Sequence, residues 1–494
     1  MMRLDWIWAP AVLLGIVCGI PACRTDGGGN GPNSDAGTDT DTDTDTGTGT
    51  GTGTETCSDT GSGTGEDTGM GEDAGSDAGT GLVDREDVDL DWESLPKIEP
   101  HRETRFGYTV VWLSGSPLEM GKQHGELLHD EIADGLANSS YVKKIAALIP
   151  LANLLGLVDL ARSNSYQWIV DECKGMVETA GDVGWTMNLC LVINFGDVLT
   201  EQLPGFTSPA CSQFTAAGEA SADGRIYHGR LLDWSDVDFL LKYPVVFVRQ
   251  PEGRVPYVTV GFPGNLSPYS GMNAKHVVVA SNEADPVGPT QSAKKGHSHV
   301  QMVGELLGTA HGIDEALDAV RKEDHMSVEL FGISDGAADR GAAVEMTATA
   351  VGVRPDGQGV VFLTNHFTAA ETEALDAVPI APSSALRYER LSQLLAPGGA
   401  ESLHGSLEPY SAVKILRDRV NPYTHKEVPL GTFDNNGSLA TNGALYAIVF
   451  DPGALVLWAA AGKKPVPEQP FVGFSLPELL GAPDAAFPEP EIIW

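Results

Sequence analysis

From Gly27 to Gly81 the sequence is almost entirely Gly, Thr, Asp and Ser, and it contains the run Thr38-Asp39-Thr40-Asp41-Thr42-Asp43-Thr44-Asp45. With almost nothing apolar to offset the entropy of ordering, such a stretch cannot build a core. It reads as a disordered, acidic tether over residues 23–100 and confines any folded body to the chain beyond it. Residues 24–100 hold 20 Asp and Glu against 3 Lys and Arg, nearly half of the excess behind the formal charge of −37. The rest is acidic but ordinary. With no basic patch or Lys/Arg-rich helix, nucleic acid is not an expected partner. The alternating Asp could collect calcium loosely, but no Gly-punctuated loop ending in a bidentate Glu is present.

Beyond the tether the hydrophobic period changes once. Glu119–Ile132, Val142–Leu157 and Tyr166–Val177 place apolar residues at three- and four-residue intervals, as amphipathic helices do, with Pro150 expected to break or kink the middle one. This makes residues 101–210 a helical N-terminal segment. From Cys211 to the end the pattern is short apolar runs: Val245–Val248, Val255–Val258, His276–Val279, Gly359–Leu363, and a late hairpin of Leu445–Phe450 and Leu455–Trp458 turning at Asp451-Pro452-Gly453. Helical runs at Val300–Leu307, Ile313–Arg321, Leu386–Leu395 and Ala412–Val420 lie between them. Strand groups flanked by helix groups predict an α+β fold of stacked sheets with helices outside, over a domain 211–494.

The first 22 residues read as a leader. Ile7 to Ile20 is apolar but too short to span a bilayer, as in a signal peptide. It ends in Ile20-Pro21-Ala22-Cys23, which resembles the lipobox of bacterial lipoproteins, where the cysteine is lipidated after cleavage. Asp5 offsets Arg3, a departure from a positively charged leader. The expectation is a bacterial cell-envelope protein, lipid-anchored through Cys23 or secreted.

Chemistry concentrates at Cys211. It opens the run Cys211-Ser212-Gln213-Phe214-Thr215, which turns at Ala222-Asp223-Gly224 and returns as Ile226-Tyr227-His228-Gly229-Arg230-Leu231-Leu232-Asp233-Trp234. The thiolate is the reactive form of cysteine, and a guanidinium nearby favours it. A buried, inert cysteine in an ordinary strand is the alternative from this pattern alone. A three-residue loop with Gly224 left-handed sets Asp233 across from Gln213, on the face of Cys211. Arg230 lies three residues from Asp233, so one of them needs a bulge or a strand end to share that face.

This hairpin resembles the autoproteolytic N-terminal-nucleophile acyltransferases and hydrolases typified by isopenicillin N (acyl-CoA:6-aminopenicillanic acid) acyltransferase, and more distantly choloylglycine hydrolases and acid ceramidase. His228 to Trp234 is similar to the family's His-Gly-Arg-Asn-Leu-Asp-Trp, with Leu231 where an Asn is usual. The resemblance continues through Gly261–Gly264, Ser270–Asn273, Ser281-Asn282, Thr364-Asn365-His366-Phe367 and Ser384–Tyr388, with Gly115–Gly121 and Gln123–Leu128 upstream. It spans about residues 105 to 480 in consistent order.

The resemblance implies a four-layer αββα sandwich and self-cleavage between Ala210 and Cys211. The freed α-amine, with an unperturbed pKa of roughly 7.7–8.0, then serves as base to its own thiol. It implies Arg230 and Asp233 as orienting groups, Asn365 as an oxyanion donor, Asn282 as a second polar residue, and Arg387 beside the nucleophile, with Arg390 as the other candidate for that place. Cys18 would leave with the leader and Cys23 carry lipid, while Cys57 sits in the tether. Whether Cys173 and Cys190 pair is open; if they do, Cys211 is left as the unpaired thiol.

Cys211 with His228, His366 or His425 could instead form a thiol–imidazole pair, and His297, His299, His311 and His325 could bind zinc. No helical His-Glu-x-x-His or paired cysteines support the metal, so no metal or other cofactor is expected. The reading is an autoproteolytic cysteine hydrolase or acyltransferase acting on an acyl–nitrogen bond through a thioester on Cys211. Its expected partners are a small acyl-amide substrate, a membrane reached through the lipid anchor, and each cleaved chain with the other. The alternative is a catalytically silent binding lipoprotein on the same fold.

Overall fold

The structure, a computed structural model, describes residues 88–200, 210–234, 237–284, 295–326, 328–376, 379–429, 437–483, 485 and 491–494. The leader, Cys23, Cys57 and the Gly27–Gly81 stretch lie outside the described residues. In chain order the strands are β1 His101–Arg105, β2 Tyr108–Gly115, β3 Ser212–Ala216, β4 Tyr227–Asp233, β5 Val245–Pro251, β6 Tyr257–Gly261, β7 Ser270–Asn273 and β8 Val277–Glu283. They continue as β9 Glu329–Asp335, β10 Arg340–Met346, β11 Val351–Pro355, β12 Val360–Leu363, β13 Ala444–Asp451, β14 Val456–Ala461, β15 Phe471–Ser475 and β16 Ile492–Ile493.

Among the described residues these make two sheets, one ordered β1-β2-β5-β6-β7-β8-β9-β10-β11 and the other β12-β3-β4-β13-β14-β15-β16. Strands β9 and β10 of the first sheet pack against β3 and β12 of the second. On the far side of the first sheet, helix Pro117–Leu127 packs on β2, His299–Thr309 on β7 and β8, and Ile313–Lys322 on β9 and β10. Helices Pro382–Leu395 and Pro409–Leu416 cover the far side of the second. The result is the expected four-layer αββα sandwich.

The chain before Cys211 is not only helical. Strands β1 and β2 open it, and β2 runs parallel to β5 from Thr109↔Val245 to Gly115↔Pro251. Burial on both faces explains the gain: Val110, Val111, Trp112 and Leu113 are all buried, since a strand inside a covered sheet is apolar on both faces. The folded part also begins earlier than residue 101. Leu90 is buried, Trp92, Leu95 and Ile98 pack on the core, and Val88 N donates to Gly453 O.

Pro150 does not break its helix, which runs Ser140–Leu154. The chain turns sharply later, at Gly156, whose φ of 73° is open to glycine at no steric cost. One lost rung at Pro150 is tolerated because Ile145 and Ala152 bury the helix face on either side of it. No single described helix is long and apolar enough to cross a membrane. Cys173 and Cys190 form a disulfide between helices Gln167–Ala180 and Met187–Phe195, with Cα atoms 5.8 Å apart. Cys211 is then the free cysteine among the described residues.

Candidate active site

The hairpin carrying Cys211 forms with a different register. Gln213 pairs with Arg230, not Asp233, because the ladder ends at Ala216↔Tyr227 and the connection is longer than Ala222-Asp223-Gly224. Neighbouring strands and loops draw the connection outward: Ala217 N donates to Gly359 O and Ala222 N to Leu407 O. Gly224 is left-handed as expected, at φ 85°. The register puts Gln213, Thr215, His228 and Arg230 on the face toward the other sheet. Phe214 and Leu231 go to the outer face, in the apolar cluster beneath the covering helices. Leu231, the departure from the family pattern, therefore fills an apolar position away from the thiol. Gly332 of β9 permits this polar inner face to approach the first sheet, since a Cβ there would lie 2.2 Å from Gln213 Oε1.

Arg230 reaches Cys211 Sγ at 3.3 Å and Ser281 O at 2.6 Å through Nη2, while Nη1 donates to Leu231 O at 2.7 Å. Asp233 is the last residue of β4; the register shift there lies in β13, which skips a residue between Ala444 and Tyr446, and not in β4 itself. Asp233 then touches the Ala210–Cys211 junction from its main chain. Its carbonyl accepts from Ala210 N at 2.7 Å. Its side chain accepts from Thr441 Oγ1 at 2.7 Å on Oδ2, while Oδ1 is buried with no hydrogen-bond partner among the described residues. A buried acceptor left unsatisfied costs about 1–3 kcal/mol.

The nitrogen of Cys211 is held separately. It donates to Asn365 Oδ1 at 2.9 Å, and Arg387 Nη2 donates to the same oxygen at 2.8 Å. Arg387 Nη1 reaches Cys211 O, and Ser212 Oγ at 2.9 Å. Asn365 Nδ2 donates to Glu283 O at 2.7 Å, so partners on both ends orient the amide. Ser384, in the first turn of helix Pro382–Leu395, accepts from Asn365 N at 2.8 Å. Asn282 does not face the thiol. It accepts from Gln213 Nε2 at 2.9 Å and donates to Thr364 O at 2.7 Å, tying β3 to the loop that carries Asn365. Arg390 bonds to Asp418 and Glu401 instead, so Arg387 is the arginine beside Cys211.

Charge in this pocket is set by burial. Desolvation pushes the Cys211 thiol up in pKa, against the opposing pull of Arg230, so the thiol is held neutral. Burial also pushes the Asp233 carboxyl up to about 7, with Thr441, Arg387, Arg230 and Lys464 opposing. Arg387 is drawn downward by burial and stays a cation.

The alternative histidines go elsewhere. His228 bonds to Gln213 and Ser334, and burial and Arg230 lower its pKa to about 3. His366 bonds to Thr364 and Ser384, at about 4, and His425 pairs with Glu401 on the surface. His297 stacks on Tyr166, His299 pairs with Glu329, His311 N bonds to Glu315, and His325 bonds to Val320 O. Among the described residues no three or more His, Cys, Asp or Glu are grouped to hold a metal.

Sequence reasoning assigned no role to Thr441 or Ser384. Ser384 lay inside a quoted motif; Thr441 is 208 residues from Asp233 and nothing local marks it.

Residues 231–464, a little under half of the chain, match the family described as acyl-coenzyme A:6-aminopenicillanic acid acyl-transferase. The span includes Asp233, Asn282, Asn365, Arg387 and Thr441 and begins after Cys211 and Arg230. An uncharacterized protein of Archaeoglobus fulgidus is 23% identical over 402 residues, covering 72% of this chain and 64% of that protein. The chain thus spans under two thirds of that relative's length.

Three solved structures are similar. A Caenorhabditis elegans N-acylethanolamine-hydrolyzing acid amidase ortholog is 16% identical, covers 49% of this chain and 93% of its own, and has a TM-score of 0.35. Penicillin V acylase from Agrobacterium tumefaciens is 16% identical, with 51% and 83% covered and a TM-score of 0.32. A mutant conjugated bile acid hydrolase from Clostridium perfringens is 13% identical, with 54% and 93% covered and a TM-score of 0.36. The chain resembles the acyltransferase family over the matched span. Its described residues form an αββα sandwich with Cys211 at the head of an inner strand.

Proposed function

We propose that this protein is an autoproteolytic cysteine hydrolase or acyltransferase acting on acyl–nitrogen bonds. The observation that carries the reading is the treatment of Cys211. Its sulfur faces Arg230 at 3.3 Å and its nitrogen faces Asn365 Oδ1 at 2.9 Å, while the described imidazoles bond elsewhere. A site that holds both sulfur and nitrogen of one residue suits a nucleophile that carries its own base.

In self-cleavage the Cys211 sulfur adds to the Ala210 carbonyl carbon, the Ala210–Cys211 C–N bond breaks, and the thiol proton ends on the departing nitrogen. Water then hydrolyses the thioester, leaving an Ala210 carboxylate and a free thiol. With substrate, the new amine takes the thiol proton, the sulfur attacks the amide carbon, and the leaving amine departs with that proton. The acyl thioester passes to water or to a second amine. Asp233 orients the amine through its carboxylate, and Arg230 lowers the cost of the thiolate. Asn365 Nδ2 bonds to Glu283 O in the uncleaved chain, so its oxyanion role exchanges that bond for the substrate oxygen. Asn282 acts through the loop it holds. The two cleaved pieces stay together because β2 and β5, on opposite sides of the cut, share a sheet. The Ile20–Cys23 segment makes the protein a lipid-anchored or secreted envelope protein, an assignment supported by sequence alone.

Expressed without its leader and tether, the wild type is expected to mature into two chains, the second beginning at Cys211, and Cys211→Ala to remain one. Intact mass and N-terminal sequencing decide it. A wild type that stays whole after prolonged incubation points to a silent binding protein with an inert, buried thiol.

A further inference from the structure

Asp233 is 1% exposed, and its two carboxylate oxygens differ: Oδ2 is occupied and Oδ1 is not. The occupant of Oδ2 is fixed in direction. Gly443 N donates to Thr441 Oγ1 at 3.0 Å, so the hydroxyl hydrogen is left for Asp233 at 2.7 Å. The turn that presents Thr441 is itself held from several sides. Leu439 lies in the apolar cluster beneath the covering helices. Ala440 N donates to Asp418 O at 2.9 Å, and Gly443 O accepts from Trp234 N at 3.2 Å. Asp418 is in turn gripped by Arg390 with two bonds of 2.8 Å, which gives that arginine a place in the scaffold although it does not reach the thiol.

The free oxygen is poised for something the uncleaved chain lacks. The main chain of Asp233 already grips the junction, its carbonyl accepting from Ala210 N at 2.7 Å. While uncut, the Cys211 nitrogen has one hydrogen, and Asn365 accepts it at 2.9 Å. Cleavage turns that N–H into an amine with two hydrogens, or an ammonium with three, and creates donors that have no acceptor in the uncut chain.

We propose that Thr441 is a positioning residue of this site: its hydroxyl occupies Oδ2 of Asp233 and so reserves Oδ1 for the α-amine formed when the Ala210–Cys211 bond opens. The inference rests on the proposed self-cleavage. Without the hydroxyl the carboxylate is free to rotate, and its ionised form loses a donor. The ammonium is then held less well, and the carboxyl is easier to protonate.

The test uses the full chain as Thr441→Val and Thr441→Ser, with Thr441→Ala as a second hydroxyl-free variant that adds no bulk. Valine is expected to slow the appearance of the Cys211 N-terminus about 10- to 100-fold, the loss of a hydrogen bond to a charged group. Serine is expected to stay near the wild-type rate. In matured enzyme on an N-acyl amino acid panel, the acid limb of kcat/KM is expected to move to higher pH in the valine form and return in the serine form. A merely structural role would not move that limb. Wild-type cleavage with an unchanged rate and limb in Thr441→Val overturns this inference alone. A wild type that never cleaves overturns the function and this inference together. If the Val and Ala forms both unfold while Ser matures normally, the hydroxyl serves the fold and the inference falls.

Discussion

Arg249 and Arg230 are both buried, one in each sheet, and their surroundings are opposite. Arg249 on β5 is closed by Glu172, with Nη1 to Oε1 at 2.8 Å and Nη2 to Oε2 at 3.0 Å, both residues at 2% exposure or less. Each carboxylate oxygen has its own donor. Arg230 on β4 instead spends its bonds on a thiol and two main-chain carbonyls, and among the described residues its buried Nε has no partner, nor has Asp233 Oδ1. The closed pair can do nothing further and its value is structural. The open set holds charge that has not been neutralised at short range, which a fold tolerates where chemistry needs it.

The sharpest way to break this comparison is to remove each arginine in turn. Arg249→Met leaves Glu172 buried and unpaired, so denaturant unfolding is expected to lose about 3–5 kcal/mol, while the fraction that folds cleaves at the wild-type rate. Arg230→Met is expected to slow cleavage and turnover by about 100-fold or more at a smaller cost in stability. If the two variants exchange these phenotypes, the distinction between closed and open charge is wrong.

A smaller effect separates the sites by pH. With its carboxyl pushed up to about 7, Asp233 in the folded, uncleaved chain binds a proton that the unfolded chain, at roughly 3.9, has released. Its contribution to stability is therefore fully present below about pH 4 and is lost as pH rises through about 7. In a Cys211→Ala background, stability is expected to fall by a few kcal/mol across that window, and Asp233→Asn to flatten this part of the curve. Urea midpoints measured from pH 4 to 8 test it; parallel curves for the two proteins would mean that Asp233 carries no displaced proton.

The smallest expected effect lies furthest from the chemistry. Replacing both Cys173 and Cys190 by serine opens a bridge separated by 17 residues in sequence. A loss of about 3 kcal/mol is expected, with no change in cleavage rate at temperatures where the protein stays folded. Slower cleavage in that variant would tie the helical segment to the active site directly.

Much of the site was legible because it is local. Cys211 at a strand head and Arg230 and Asp233 on the returning strand follow from strand geometry and a short stretch of sequence. The register was not legible, because contacts of Ala217 with Gly359 and of Ala222 with Leu407 set where the hairpin ends. The residue opposite Gln213 changed as a result. β1, His101–Arg105, is polar and carries no apolar signal, and β2 was missed for a related reason. An apolar run covered on both faces has no alternation, and its parallel partner β5 is more than a hundred residues away.

By itself the sequence determined where strands take over after Cys211 and which cysteine heads the hairpin that returns through Arg230 and Asp233. These depend on composition and on spacings of a few residues. Only the tertiary structure decided that Arg387 and not Arg390 stands beside Cys211, that Asn282 supports a loop, and that Thr441 holds Asp233. Arg387 and Arg390 are three residues apart on one helix, with Asp418 drawing one away and Asn365 holding the other. Thr441 meets Asp233 across 208 residues of chain. Such choices are made by which partners arrive in space, and the spacing of residues along the chain does not encode them.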